Sequence, residues 1–533
     1  MGTYETPSHA ASLSISDMYD SFFGDDAAQS HSRRLMAYRR YWLYYTGKHW
    51  SYTRGESDPT LTFNYCRRLV DLHVNFTFKG GFKITIPEDP VTPGPDKKDR
   101  DFIRVMLEET WNNNDRDLWL MEAGQSGSVT GDVFARVSWD DTDPLENPYA
   151  RVDLLPSHFC FPEFCGPHGA NKKSIRRILI VNPVYKEPED IAVSGVYFSR
   201  NPKPNTTSSL LLESEEWIAA RYDKRTGEML SPAKVRYYEN KEYVGEKVSP
   251  IGEIPIVHIP NYPLSGEYYG MSDLADIMDL NRELNEKATD ISDIINYHGS
   301  PTTIVSGAKL TDLEKGANRV WSVPETAKVY NLELNGDLSA ASEHYDKVRS
   351  ALIELSGTTE QALGNFEGSV PPSGVSLQLQ YLPMLDKRDV RVLMFRTGLR
   401  LINRLILKTT EIGDPAFGAK MAKVDGNPYR NDVTFAEPLP QDERRELEVT
   451  KERLVLGLSN RRRELEKQGV PKNEIDRILE GVKEDMMLDN DAIFSGTDDV
   501  GVGSGNFQLD RGGADSTRGE KIVDNDIDNN LEK

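Results

Sequence analysis

Met271–His298 reads MSDLADIMDLNRELNEKATDISDIINYH, and Gly374–Leu407 reads GVSLQLQYLPMLDKRDVRVLMFRTGLRLINRLIL. In the first stretch Leu274, Ile277, Leu284, Ala288, Ile291 and Ile295 recur at helical spacing, so one face is apolar. Ser272 is a good N-cap, Asp273 and Asp276 suit the positive end of the helix dipole, and Gly299 and Pro301 stop the helix. In the second stretch Leu377, Tyr381, Leu385, Val392, Phe395, Leu399, Ile402 and Ile406 form one stripe. Its length of about 34 residues corresponds to roughly 50 Å of helix. Pro383 lies inside it and predicts a kink. Between the two lie a compact insert (Pro301–Leu334), another amphipathic helix (Leu338–Leu355) and a Gly/Pro loop, Gly357–Pro372. Long helices around a small insert predict an extended, oligomeric α+β body rather than a sphere.

Working outward, the 533 residues leave room for about two to four domains. There are 64 basic and 85 acidic residues, a formal net charge of −21. Such a chain is a poor candidate for tight binding along DNA phosphates, yet it can surround DNA without adhering. Solubility alone also accounts for the charge. Cys66, Cys160 and Cys165 form no disulfide framework and suit a reducing compartment. His158 and His168 flank the last two without zinc spacing, so no metal site is assigned. No basic-then-apolar leader and no run near 18 apolar residues is found, so neither a signal peptide nor a membrane span is expected.

The segment before the long helices predicts an α+β domain, helical early and β-rich late. Ser32–Tyr45 is helical through Leu35, Tyr38 or Arg39, Trp42 and Tyr45; its arginines are read as snorkelling from a packed face rather than as a nucleic-acid surface. Asn64–Phe76 is a helix with Leu69, Leu72 and Phe76 on one face. Asp101–Met121 is a third helix, around Phe102, Val105, Leu107, Trp111 and Leu118. Strands are expected at Lys79–Ile86, within Gly127–Asp141, at Val152–Phe161, Ser174–Val184, Glu216–Tyr222, Lys234–Val244 and Asp432–Ala436, with a turn at Lys224–Gly227. Ile254–Gly270 reads as a Pro-punctuated bridge. After the long helix come helices at Asp442–Leu458 and Lys472–Lys483, then an acidic tail without apolar periodicity that is expected to be disordered.

No constellation predicts catalysis. The chain lacks G-x-x-x-x-G-K-[ST], G-x-S-x-G and H-E-x-x-H. The glycines of 501–505 have no strand before them, and Asp524, Asp526 and Asp528 lack the glycine and glutamate of a calcium loop. No cofactor is expected. An enzyme acting on nucleic acid remains an alternative, to be recognised by metal-dependent activity lost on single carboxylate changes. A structural adaptor of a virion without a channel is another.

The order of these parts resembles the portal protein of tailed bacteriophages. The stretches that carry the resemblance are IPIVHIPN and YYGMSDLADIMDLNRELNEKATDISDIINYHGSPTTIVSGA within Ile254–Gly307, and LSGTTEQALGNFEGSVPPSGVSLQLQYLPMLDKRDV within Ser356–Leu405. FNYCRRLVDLHVNFTFKGGFKITIPE, GSVTGDVFARVSWDD and RVDLLPSHFCFPE look like the start of the family's wing. The resemblance spans roughly residues 30–485 and rests on the succession of elements, not on one short motif.

The resemblance implies a ring, usually a homo-dodecamer, at one capsid vertex of the virion. Double-stranded DNA would pass through it without sequence preference during packaging and ejection. By segment, 1–30 would be a flexible N-terminus, 31–269 an α+β wing, 270–298 and 337–356 two stem helices, and 299–336 a small α/β clip. A tunnel loop (357–372), the long kinked helix with the wing return (373–440), a helical crown (441–485) and the acidic tail (486–533) would follow. The clip would meet the terminase large subunit and later a head–tail adaptor; major capsid and scaffolding proteins are further implied partners, and no membrane is. Site residues follow: Asn365, Phe366, Glu367, Ser369 and Val370 at the DNA; Lys347 and Arg349 as weak phosphate rings of the stem, or as a solvated outer face; Lys309, Glu314, Lys315 and Arg319 as clip docking charges, or equally as ordinary surface; Arg461, Arg462 and Arg463 in the crown, touching packaged DNA or, the favoured reading, paired within the helix with Glu464 and Glu466. The loop carries Glu360 and Glu367 but no Lys or Arg, so its contact with DNA is expected to be steric. Phe366→Ala should leave ring assembly intact and change packaged DNA length or retention; unaltered packaging would remove this loop from the DNA path.

Overall fold

The computed structural model describes residues 25–50, 60–87, 97–140, 148–164, 175–185, 210–223, 225–239, 242–299, 303–306, 328–331, 338–364, 378–439, 443–467 and 474–482. The expected loose N-terminus, the short helix near Thr311–Lys315 and the acidic tail lie outside these residues. The chain divides into two units, Met1–Pro440 and Gln441–Lys533.

In the first unit, helix α1 (Asp25–Tyr45) buries Leu35, Tyr38 and Tyr45, as their spacing predicts. Arg34 does not snorkel. It is buried, donates to the Cys160 carbonyl at 2.7 Å and lies over the Tyr38, Phe161 and Tyr269 rings. Helix α2 (Tyr65–Phe78) is capped by Asn64, whose side chain accepts from the Arg67 amide at 3.0 Å. Its buried face is Cys66, Leu69, Val70, His73, Val74 and Phe78; Leu72 and Phe76 sit at the margin, with Phe76 stacked on Tyr381.

The helix expected over Asp101–Met121 is two helices, α3 (Lys97–Asn113) and α4 (Arg116–Thr130). The break is at Asp115, whose φ of 48° is left-handed. Asn114 holds it there. Its amide donates to the Ala150 carbonyl at 2.9 Å, and its side-chain oxygen accepts from the Val152 amide at 2.8 Å. The buried face of α3 runs through Ile103, Leu107 and Trp111 and leaves Val105 exposed; beyond the break Trp119 and Leu120 are buried and Leu118 is exposed.

Strands β1 (Phe82–Thr85) and β14 (Asp432–Phe435) pair antiparallel and join early and late parts of the chain. A three-stranded antiparallel sheet places β2 (Asp132–Asp140) between β3 (Tyr149–Leu155) and β11 (Ile256–Pro260). The supposed bridge Ile254–Gly270 therefore contains a strand. Prolines at its margins hide Ile256, Val257 and Ile259, which are buried, and Pro260 is tolerated at the end of an edge strand. A five-stranded antiparallel sheet has the order β10 (Glu242–Val248), β9 (Lys234–Glu239), β6 (Leu210–Ile218), β5 (Ile175–Tyr185), β4 (Cys160–Phe164). The strand expected over Lys234–Val244 is thus a hairpin. The one expected over Glu216–Tyr222 ends at Ile218, and β7 (Arg221–Tyr222) pairs separately with β8 (Met229–Ser231). The turn expected at Lys224–Gly227 is built on Asp223, whose carboxylate accepts from the Arg225 and Thr226 amides at 2.6 and 3.2 Å.

Helix α5 (Met278–Gly299) packs against α6 (Leu338–Ser356), and the ribbon β12 (Thr303–Ser306) with β13 (Lys328–Asn331) lies between them in sequence. The helix expected from Met271 begins only at Met278. Residues Ser272–Ile277 form tight turns, because the Ser272 hydroxyl donates to Val129 O at 2.6 Å and Asp273 is drawn into the core. Helix α7 (Leu382–Gly413) has Pro383 in its first turn and runs past Leu407; residues 378–380 are helical too, and the helical path is interrupted at Tyr381, just ahead of the proline. It lies across the three-stranded sheet. Gly398 admits the Ile259 side chain and Gly413 the Trp139 ring, approaches that any Cβ would block. Phe395, Leu399, Ile402, Leu405, Ile406 and Leu407 are buried there, worth on the order of 10 kcal/mol in total. Helix α8 (Pro415–Met421) follows. The second unit holds α9 (Glu443–Val455), α10 (Arg461–Lys467) and a helical stretch over 474–482.

Gly131 joins α4 to β2 with φ 91°, and a Cβ there would lie 2.5 Å from the Gly270 carbonyl oxygen. Gly131→Ala should destabilise the first unit by at least about 2 kcal/mol, read as a lowered thermal midpoint; an unchanged midpoint would show that this junction yields easily.

Candidate functional site

The two helices α5 and α6 leave the body as a pair, and their roots meet in a buried polar cluster. Asp273, just ahead of α5, accepts from Arg391 at 2.5 Å and lies 3.4 Å from the Lys387 ammonium. Both cations stand on α7, one turn apart, so one carboxylate addresses both. Lys387 also donates to the Ser356 carbonyl, at 2.8 Å, where α6 ends. Beside it, His73 of α2 is 2.9 Å from the Thr358 hydroxyl. Gly357 turns the chain at φ 72°, against the Lys387 side-chain carbons. Burial alone would raise the Asp273 pKa, but Arg391 and Lys387 outweigh it and hold the carboxylate below its usual range. Burial lowers the Lys387 pKa, against the pull of Asp273. His73 is lowered to about 3, by burial first and then by Lys387.

A second polar knot supports the same region. Asp132, fully buried, accepts from the Tyr38 hydroxyl at 2.5 Å and the Gly270 amide at 2.9 Å, and lies 2.7 Å from His258 Nε2. It ties α1, β2 and β11 to the start of the 270s. The lower part of α5 is fastened to the strand-like approach of α2. Asn281 accepts from the Cys66 amide at 3.0 Å, and Asn285 from the Phe63 amide at 2.8 Å.

Of the residues that sequence singles out, Lys347 is 74% exposed and 4.0 Å from Glu343. Arg349 is turned back on its own chain, 3.4 Å from Glu360, so Glu360 sits at the root of the Gly/Pro loop as an internal partner. Arg461, Arg462 and Arg463 open α10, where the Asn460 side chain accepts from the Arg463 amide at 2.8 Å and Arg462 pairs with Asp476. Asn365, Phe366, Glu367, Ser369 and Val370, and Lys309, Glu314, Lys315 and Arg319, lie outside the described residues. Sequence reasoning missed Asp273, Lys387, Arg391, His73 and Thr358 as one cluster. The available signals were Lys387 and Arg391 one turn apart beside an apolar stripe, and His73 on the buried side of α2. Asp273 was readable only as a helix-dipole partner.

Among the described residues no three His, Cys, Asp or Glu side chains are placed to hold a metal ion, and no helix is long and apolar enough to cross a membrane. The polar groups found here fasten elements together.

Residues 213–483 match the family model described as phage portal protein, SPP1 Gp6-like. That span is just over half of the chain, which therefore belongs to the phage portal protein family. The family is one of structural components of the virion capsid that oligomerise. No curated protein matches the chain.

The cluster sets a pH dependence. Unfolded histidine takes up a proton below about pH 6.5, whereas His73 stays neutral down to about 3. Its contribution is therefore complete above pH 6.5 and is lost as pH falls towards 3, by about 2 kcal/mol at pH 5. His73→Gln should make stability between pH 7 and pH 5 flatter by that amount in chemical denaturation; His31, also lowered to about 3 by burial and Arg34, continues to act. An unchanged slope would mean that His73 is hydrated in solution.

Proposed function

We propose that the chain is the subunit of a ring, usually dodecameric in this family, that forms the DNA channel at one capsid vertex. One observation carries this reading. Of residues 290–296 on α5 and 339–351 on α6, none is buried. Burial begins only at the roots, with Ala288 and Thr289 on one helix and Leu352 and Ile353 on the other. Two helices covering each other along one side cannot bury enough apolar surface to hold a fixed direction alone. Ile295 and Leu355 remain exposed. Side-by-side hairpins from neighbouring subunits would cover these faces and wall a channel, in keeping with a family that oligomerises.

In this arrangement α5 and α6 are the stem, and the segment between them, with β12 and β13, is the clip that docks the terminase large subunit and later the head–tail adaptor. Residues 357–372 form the tunnel loop at the DNA, α7 the long wing helix, and 441–485 the crown. Twelve copies would carry about −250 formal charge, which disfavours adhesion of phosphates and lets DNA slide. Of the two stem cations, Lys347 is the better phosphate contact, since Arg349 is held by Glu360. The chemistry of packaging, ATP hydrolysis, is assigned to the separate motor.

Negative-stain imaging of the purified protein tests the proposal: rings with an axial hole are expected. A stable monomer, or a closed assembly without a hole, would overturn it.

A further inference from the structure

We infer that Lys387 is a positioning residue for DNA handling: its ammonium joins the roots of both stem helices, and so sets where the DNA-facing loop departs from the wing. This rests on the portal reading above. The argument begins with what the lysine touches. Its Nζ lies 3.4 Å from Asp273, which precedes α5, and donates at 2.8 Å to Ser356 O, which closes α6. One side chain on α7 thus holds both legs of the hairpin.

The two legs are not equally dependent on it. Helix α5 has its own fastenings through Asn281 and Asn285 to Cys66 and Phe63. The end of α6 and the turn Gly357–Gly364 lean on Lys387, on His73 at Thr358 and on the pair Arg349–Glu360. That turn is held internally by short-range bonds only, from Ala362 to Thr359 at 3.0 Å and from Gly364 to Gln361 at 3.0 Å. Leu352, Ile353 and Leu363 pack it on the core, and its polar ties to α2, α6 and α7 are His73, Arg349 and Lys387, of which Lys387 is the one on α7.

Loss of this lysine would not leave the buried carboxylate without a cation. Asp273 retains Arg391 at 2.5 Å if Lys387 is neutral, so no carboxylate is orphaned. Removing one partner of a buried ion pair is costly when it leaves the other uncompensated, and here Arg391 still faces Asp273. A second cation at that carboxylate, bonded also to the carbonyl at the foot of the loop, points to a positional role.

The test uses full-length rings and phage particles carrying Lys387→Met, with Lys387→Arg as the conservative control. Lys387→Met should still form rings, because Arg391 continues to compensate Asp273. Amide exchange at Gly357–Gly364 should quicken by at least about tenfold while the amides of Asn281–Thr289 are unaffected. Genome-filled particles should fall by at least about tenfold, and Lys387→Arg should restore part of both. Three results would overturn the inference: exchange unchanged at Gly357–Gly364, faster exchange with normal genome retention, or failure of Lys387→Met to assemble. If the unsubstituted chain itself forms no ring, the portal reading falls first, and this inference with it.

Discussion

A buried carboxylate held by two cations is the constraint on which the first unit depends. Asp273 is nearly inaccessible, and so is Arg391. Desolvating these groups costs several kcal/mol each, and only close geometry recovers it. The geometry comes from α7, which presents Lys387 and Arg391 on successive turns, and from tight turns at Ser272–Ile277 that carry Asp273 inward. Removing Asp273 would leave two buried cations facing each other. The chain therefore gives up a turn of helix before α5 in order to close the ion pair, and the competition between helix propensity and charge neutralisation is won by charge.

The same region shows how a helix can be fastened at one end only. Helix α5 is anchored by asparagines that satisfy the backbone of the segment before α2, and α6 by apolar residues in its last turn and by the Lys387 bond at Ser356. Beyond these anchors residues 290–296 and 339–351 are at most half-buried, by the partner helix and, for Tyr345 and Val348, by the core. A monomer built this way has a stable body and a projecting pair of helices whose exposed faces call for neighbours. Oligomerisation is a property of the family, and in the proposed ring it would supply those contacts.

The acidic composition belongs to the same physical picture. Basic residues are concentrated on α7, but they are engaged: Arg396 with Asp432, Arg404 and Lys408 with Glu253, Arg391 with Asp273. The chain as a whole keeps an excess of negative charge, a net value of −21. Repulsion of phosphates is then the default of the surface, and local cations modulate it.

Much of this was legible in the residues alone. Periodicity determined that α1, α2, α5, α6 and α7 are helices and which side of α7 is apolar, since spacing of three and four survives any tertiary arrangement. The succession of segments determined the family, and composition the charge. Tertiary structure decided the rest. It broke one predicted helix at Asp115, because Asn114 satisfies the backbone of β3 better than a continued helix would. It placed a break at Tyr381, ahead of Pro383, so that the proline lies in the first turn of α7. It made a strand of Ile256–Pro260, whose pairing with β2 is invisible to local pattern. Above all it gathered Asp273, His73, Ser356, Lys387 and Arg391, far apart in the chain, into one cluster. Sequence spacing carries only local geometry, and the desolvation that makes these charges matter exists only once the chain has folded.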